Sequence, residues 1–160
     1  MNTYFTGFTD TPFTVSAPAA SLNANSPQIA DQVKPDVEIT HDVGANVSWF
    51  DPTAFKPVTE ARFGTAGFNT MRGPAYANLD LSVFRTFPLK QSMTAQFRLE
   101  IFNLTNSAHF VNPASNTQNV AYNTDGTIRA LNGFGSITGT NNVGREYDER
   151  YLRIGVRLSF

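Results

Sequence analysis

Apolar and polar residues alternate over three stretches of this chain. In residues 92–104, Met93, Ala95, Phe97, Leu99 and Ile101 share one phase, and Thr94, Gln96, Arg98 and Glu100 the other. Successive side chains of an extended strand point to opposite faces, so a period of two predicts a strand. Residues 150–160 set Leu152, Ile154, Val156, Leu158 and Phe160 against Tyr151, Arg153, Gly155, Arg157 and Ser159. Residues 76–87 set Ala77, Leu79, Leu81 and Val83 against Asn78, Asp80 and Ser82, with Phe84 in the polar phase and Arg85 in the apolar one. A shorter fourth candidate covers residues 3–8. The pattern predicts an all-β chain with three or four antiparallel strands.

The connections differ sharply in length. Residues 88–91 form a short hairpin turn, whereas 105–149 and 9–75 are long, irregular and rich in Asn, Gly, Thr and Pro. Compact soluble domains seldom carry unstructured loops beyond about 12–15 residues. Outer-membrane barrels do combine short periplasmic turns with long extracellular loops, and their strands need about 9–11 residues. With residue 160 at the periplasm, strand parity places 88–91 inside and both long connections outside. A soluble or surface-anchored β-sandwich that binds glycans or acts as an adhesin is the alternative, since it alternates in the same way. The two are distinguished by whether the apolar faces meet each other or point outward.

Composition narrows the classes. The chain has 160 residues, 41% hydrophobic and 16% charged, with formal net charge −1. Mean hydropathy is −0.25, so neutral polar residues have replaced charge; there are 15 Asn and 18 Thr. No apolar run approaches the length of a transmembrane helix, and cysteine chemistry is absent. Balanced charge argues against nucleic acid as a partner. Residues 1–7 have neither the cationic nor the apolar region of a signal peptide.

No catalytic constellation emerges, and neither an enzyme nor a cofactor or metal site is expected. His41 and His109 lie far apart, as loop residues. No Ser occupies a G-x-S-x-G elbow, and Gly133-Phe134-Gly135 is followed by no Lys of a phosphate loop. The run Asn123-Thr124-Asp125-Gly126-Thr127 lacks the later acidic ligands of a calcium loop and suits a tight turn. Charged residues 145–150 form a solvated lead into the last strand. Among the loop aromatics, Trp49, Phe50 and Tyr122 are candidate ligand contacts, against the plainer role of packing loop on loop or forming an interfacial girdle.

Several ordered motifs carry a family resemblance spanning nearly the whole chain. They are Thr11-Pro12-Phe13-Thr14-Val15, Phe50-Asp51-Pro52-Thr53-Ala54-Phe55, and Arg62-Phe63-Gly64-Thr65-Ala66-Gly67-Phe68-Asn69-Thr70-Met71-Arg72-Gly73-Pro74. Asn78-Leu79-Asp80-Leu81-Ser82-Val83-Phe84-Arg85 follows, then Gln96-Phe97-Arg98-Leu99-Glu100-Ile101-Phe102-Asn103-Leu104-Thr105-Asn106 with Phe110-Val111-Asn112-Pro113, then Phe134-Gly135-Ser136-Ile137-Thr138 and Arg153-Ile154-Gly155-Val156-Arg157-Leu158-Ser159-Phe160. Together they resemble the C-terminal region of TonB-dependent transporters of the Oar-like type.

The resemblance implies a segment of a receptor that takes up a substrate, a carbohydrate or a chelate, across the outer membrane. Residues 1–160 would then be the last strands of a transmembrane barrel with long extracellular loops, and a fragment not competent alone. Its partners would be outer-membrane lipid, the rest of the barrel and its plug, and TonB through an N-terminal part that this sequence lacks. Ile154, Val156, Leu158 and Phe160 resemble the C-terminal signal read by the barrel-assembly machinery.

Overall fold

The computed structural model describes residues 1–18, 28–90, 92–141 and 148–160. They divide into two compact units. The first comprises residues 1–9, 75–109 and 140–160, and the second residues 10–74 and 110–139.

The first unit is a four-stranded antiparallel sheet. Its strands are β1 (Asn2–Phe8), β2 (Tyr76–Lys90), β3 (Met93–Phe102) and β4 (Tyr151–Ser159), in the order β1-β2-β3-β4. Register carries the pattern across it. Leu81, Ile101 and Leu152 lie in one row, then Val83, Leu99 and Ile154, then Arg85, Phe97 and Val156, then Phe87, Ala95 and Leu158. The rows between them bring Ser82, Glu100 and Arg153, then Phe84, Arg98 and Gly155, to the opposite face. A slip of one residue on any strand would send its whole apolar set to the charged face.

The hairpin is longer than the alternation suggests. β2 continues through Pro88 to Lys90, with a register shift between Pro88 and the Lys90–Met93 pair. Pro88 has no amide hydrogen to give the ladder, and the end of a strand tolerates that loss. At the other end β3 stops at Phe102, because Asn103 turns left-handed at φ 51°. Asn is among the few side chains that accept this conformation at low cost.

Beyond that turn the chain is fastened by a buried polar cluster. The Asn103 amide donates to Asp80, and its side-chain nitrogen donates to the carbonyls of Ser107 and Asp148. His109, expected as an ordinary loop residue, is 1% exposed. Its Nδ1 lies 2.5 Å from Asp148 Oδ1, its Nε2 lies 2.9 Å from the Ala77 carbonyl, and its backbone amide donates to Asp148 Oδ2. A carbonyl only accepts, so Nε2 carries a proton. The Asp148 carboxyl thus meets both the ring and the backbone of His109. The ring stacks on Tyr76, which stacks on Phe8.

The second unit shows that the long connections are not structureless. Four minimal ladders knit them, pairing Pro12–Phe13 with Met71–Arg72, Ser16–Ala17 with Gln28–Ile29, Asp31–Gln32 with Phe55–Lys56, and Ala121–Tyr122 with Ile128–Ala130. The two connections also bond to each other, as where Ser16 donates to the Ser115 carbonyl and Trp49 to that of Gly135. Phe50 sits at the centre, fully buried, with Phe55 and Phe134 edge-on at 5.6 and 5.4 Å. Backbones pass so closely here that a Cβ on Gly64 would run into the carbonyls of Ile29 and Ala30.

Removing Asp148 would leave the buried backbone amide and ring nitrogen of His109 without their partner, at about 1–3 kcal/mol for each unsatisfied group. Asp148→Ala is therefore expected to lower stability by about that much in urea titration of the detergent-solubilised chain, and to accelerate amide exchange at His109. Unchanged exchange at His109 would show that the clasp does not hold this segment.

Candidate functional site

The outstanding surface of the molecule is the apolar face of the sheet. Ile154 is 76% exposed and Phe97 50%, and Leu152, Val156, Leu158, Val83 and Phe5 are exposed beside them. Burying such a side chain is worth about 1.5–3 kcal/mol, so leaving this set in water forfeits a sum comparable to the ~5–15 kcal/mol net stability of a domain. The face therefore calls for an apolar medium. Its height suits one. From Leu79 to Phe87, eight steps of about 3.4 Å span roughly 27 Å, or about 21 Å at a typical barrel tilt, against an outward apolar band of ~25 Å.

Arg85 is the one charge in these rows, beside Phe97 and Val156. Its guanidinium lies 5.0 Å from the centroid of the Phe87 ring. A long side chain can carry its charge along an apolar band while its stem packs inside, which accounts for Arg85 in the apolar phase.

The opposite face is charged. Glu100 lies between Arg98 at 3.6 Å and Arg153 at 3.9 Å, and Arg157 lines the same shallow cavity of about 380 Å³. Three guanidiniums against one carboxylate leave the cavity cationic. Arg153 also lies over Phe102, which stacks on Tyr151 at 4.5 Å. The four residues of the expected assembly signal fall as their phase requires. Ile154, Val156 and Leu158 stand on the apolar face opposite Leu99, Phe97 and Ala95, and Phe160 follows at the hairpin end, 88% exposed.

The candidate ligand contacts separate. Trp49 and Phe50 are interior residues of the second unit, with the Trp49 indole donating to the Arg72 carbonyl at 2.9 Å. Neither presents a surface to a ligand, because the core takes the rings that a loop cannot leave in water. Tyr122 lines a cavity instead. The aromatics this unit does expose are Phe63 and Phe68, flanked by Gly64 and Gly67. The glycines were the available signal, since small neighbours leave a ring uncovered.

Two ion pairs brace this unit. Arg62 forms a forked pair with Asp31 and holds its carboxyl below the ordinary range. Burial alone would raise Asp51, but hydrogen bonds from Lys34 and Thr53 outweigh it and bring it below the usual value. Both contributions are present above the unfolded carboxyl pKa and fade as pH falls through the lower folded value. In the Asn123–Thr127 turn, Thr127 donates to Asp125 through its amide and hydroxyl, with Gly126 at φ 82°. Among the described residues no three His, Asp or Glu side chains converge as a metal set would.

A family model described as outer membrane beta barrel domain matches residues 1–152. No curated protein and no solved structure matches the chain. The matched span takes in the whole of β1, β2 and β3 and the start of β4, with both long connections. An antiparallel sheet with one face suited to hydrocarbon and the other charged is what such a family requires, and this chain belongs to the outer membrane beta barrel domain family.

Proposed function

We propose that this chain is the C-terminal part of a TonB-dependent outer-membrane receptor of the Oar-like type, a transporter segment and not an enzyme, which works in uptake of a carbohydrate or a chelate. The observation that carries the reading is the division of the sheet. Its strands turn a face that is apolar but for Arg85 one way and Arg98, Glu100, Arg153 and Arg157 the other. The ordered motifs from Thr11 to Phe160 supply the finer assignment by resemblance.

Topology supports an orientation. The short turn joins Lys90 to Met93, while both long connections join strands at the end bearing Phe8, Tyr76, Phe102 and Tyr151. Barrels keep short turns in the periplasm and long loops outside. On this reading Phe160 also lies at the periplasmic end, where the assembly machinery meets a C-terminal strand.

Among the described residues, β1 and β4 each have one edge without a partner. In hydrocarbon every unpaired backbone group costs several kcal/mol, and closing a barrel takes about eight strands or more. Other strands of the same barrel would complete the ladder, and a plug would meet the arginines inside. The sandwich alternative would bury the apolar face, whereas Leu152, Ile154, Val156 and Leu158 are exposed.

The reading frame upstream of Met1 is expected to encode a plug and further strands in frame; a stop codon beside a secretion signal would overturn the receptor assignment. Ile154→Arg, in the middle of the apolar face, should destabilise the full-length parent in lipid vesicles by about 2–4 kcal/mol. On the charged face Arg157→Gln should stay within about 0.5 kcal/mol. Equal effects would refute the assignment of the faces. A polar tail appended after Phe160 in the full-length parent should reduce outer-membrane yield severalfold, and an unchanged yield would remove the assembly role of Ile154, Val156, Leu158 and Phe160.

A further inference from the structure

The second unit holds a cavity that transport through a barrel does not explain. It opens between the Asp31–Gln32/Phe55–Lys56 ladder and the Ala121–Tyr122/Ile128–Ala130 hairpin, with a volume of about 460 Å³. Small-molecule sites commonly occupy about 300–1,000 Å³. Val33, Phe55, Ile128 and the Tyr122 ring form apolar walls, and Lys34 and Lys56 stand at its edge.

Its polar groups are unevenly committed. Lys34 is held by Asp51 and Thr53, at 2.5 and 2.6 Å, and Thr127 is engaged by Asp125. Lys56 takes part in no ion pair among the described residues. The Tyr122 hydroxyl is buried and has no hydrogen-bond partner among them.

These features specify a chemical class. Inorganic phosphate would meet the ammonium but leave the apolar walls uncovered. A neutral sugar would find few free polar groups, since the hydroxyls of Thr53 and Thr127 are already engaged by Asp51 and Asp125. We infer that this cavity binds a small organic acid, its carboxylate on Lys56 and its apolar body against Val33, Phe55, Ile128 and the Tyr122 ring. The inference stands apart from the receptor assignment, because the cavity belongs to the second unit alone.

The test uses the full chain in detergent micelles with labelled methyl groups, titrated with 2-naphthoate. The Val33 and Ile128 methyl signals should shift saturably. Lys56→Met should weaken binding about tenfold, the usual effect of losing one charge-assisted hydrogen bond. The neutral isostere 2-naphthamide should bind the parent no better than naphthoate binds the Lys56→Met variant. Absence of saturable shifts at Val33 and Ile128 would overturn the inference. So would equal affinity for the acid and the amide with no effect of Lys56→Met, which would mean apolar partitioning only.

Discussion

A polypeptide inside hydrocarbon has no water to satisfy its amides and carbonyls, and every other property of the sheet follows from that. The ladder from β1 to β4 meets the demand with neighbouring strands, and in doing so it fixes register. Register fixes which side chains share a row, and the rows decide which face meets lipid. Leu81, Ile101 and Leu152 are aligned because Ser82, Glu100 and Arg153 must be aligned one step away. The strands are transmembrane and the protein sits in the outer membrane, so the exposure of Ile154 that would be untenable in water becomes the means of insertion.

The second unit obeys a different rule. It buries Phe50, Phe55 and Phe134 in a core of its own, as a soluble domain does. It does so with ladders only two or three residues long, supplemented by scattered bonds between the connections and by side-chain pairs such as Arg62 with Asp31. One chain thus carries two inverted solutions to the same preference of apolar side chains to avoid water.

The sheet was legible in the sequence because a strand imposes a period of two on its side chains. Met93 to Ile101 shows that period without ambiguity, and Arg85 blurs it because a long cation can share an apolar row by extending along it. The core of the second unit was hidden for a corresponding reason. Phe13, Phe50, Phe55 and Phe134 come together from distant segments, so no local period marks them as inside, and Trp49 and Phe50 looked like loop aromatics available to a ligand. His109 was equally silent. Its partners are a carboxylate 39 residues away and a backbone carbonyl, and nothing in its own neighbourhood announces either.

Both long connections leave and return through hydrogen-bonded necks. Thr11 and Gly73 close the first, with the Gly73 amide donating to the Thr11 carbonyl. His109 and Asn141 close the second, with the clasp to Asp148 beneath it. Each excursion begins and ends on backbone already joined, so its length does not load the strands it connects. Such a loop is a cassette: residues between the necks can lengthen, shorten or change sequence without disturbing strand register.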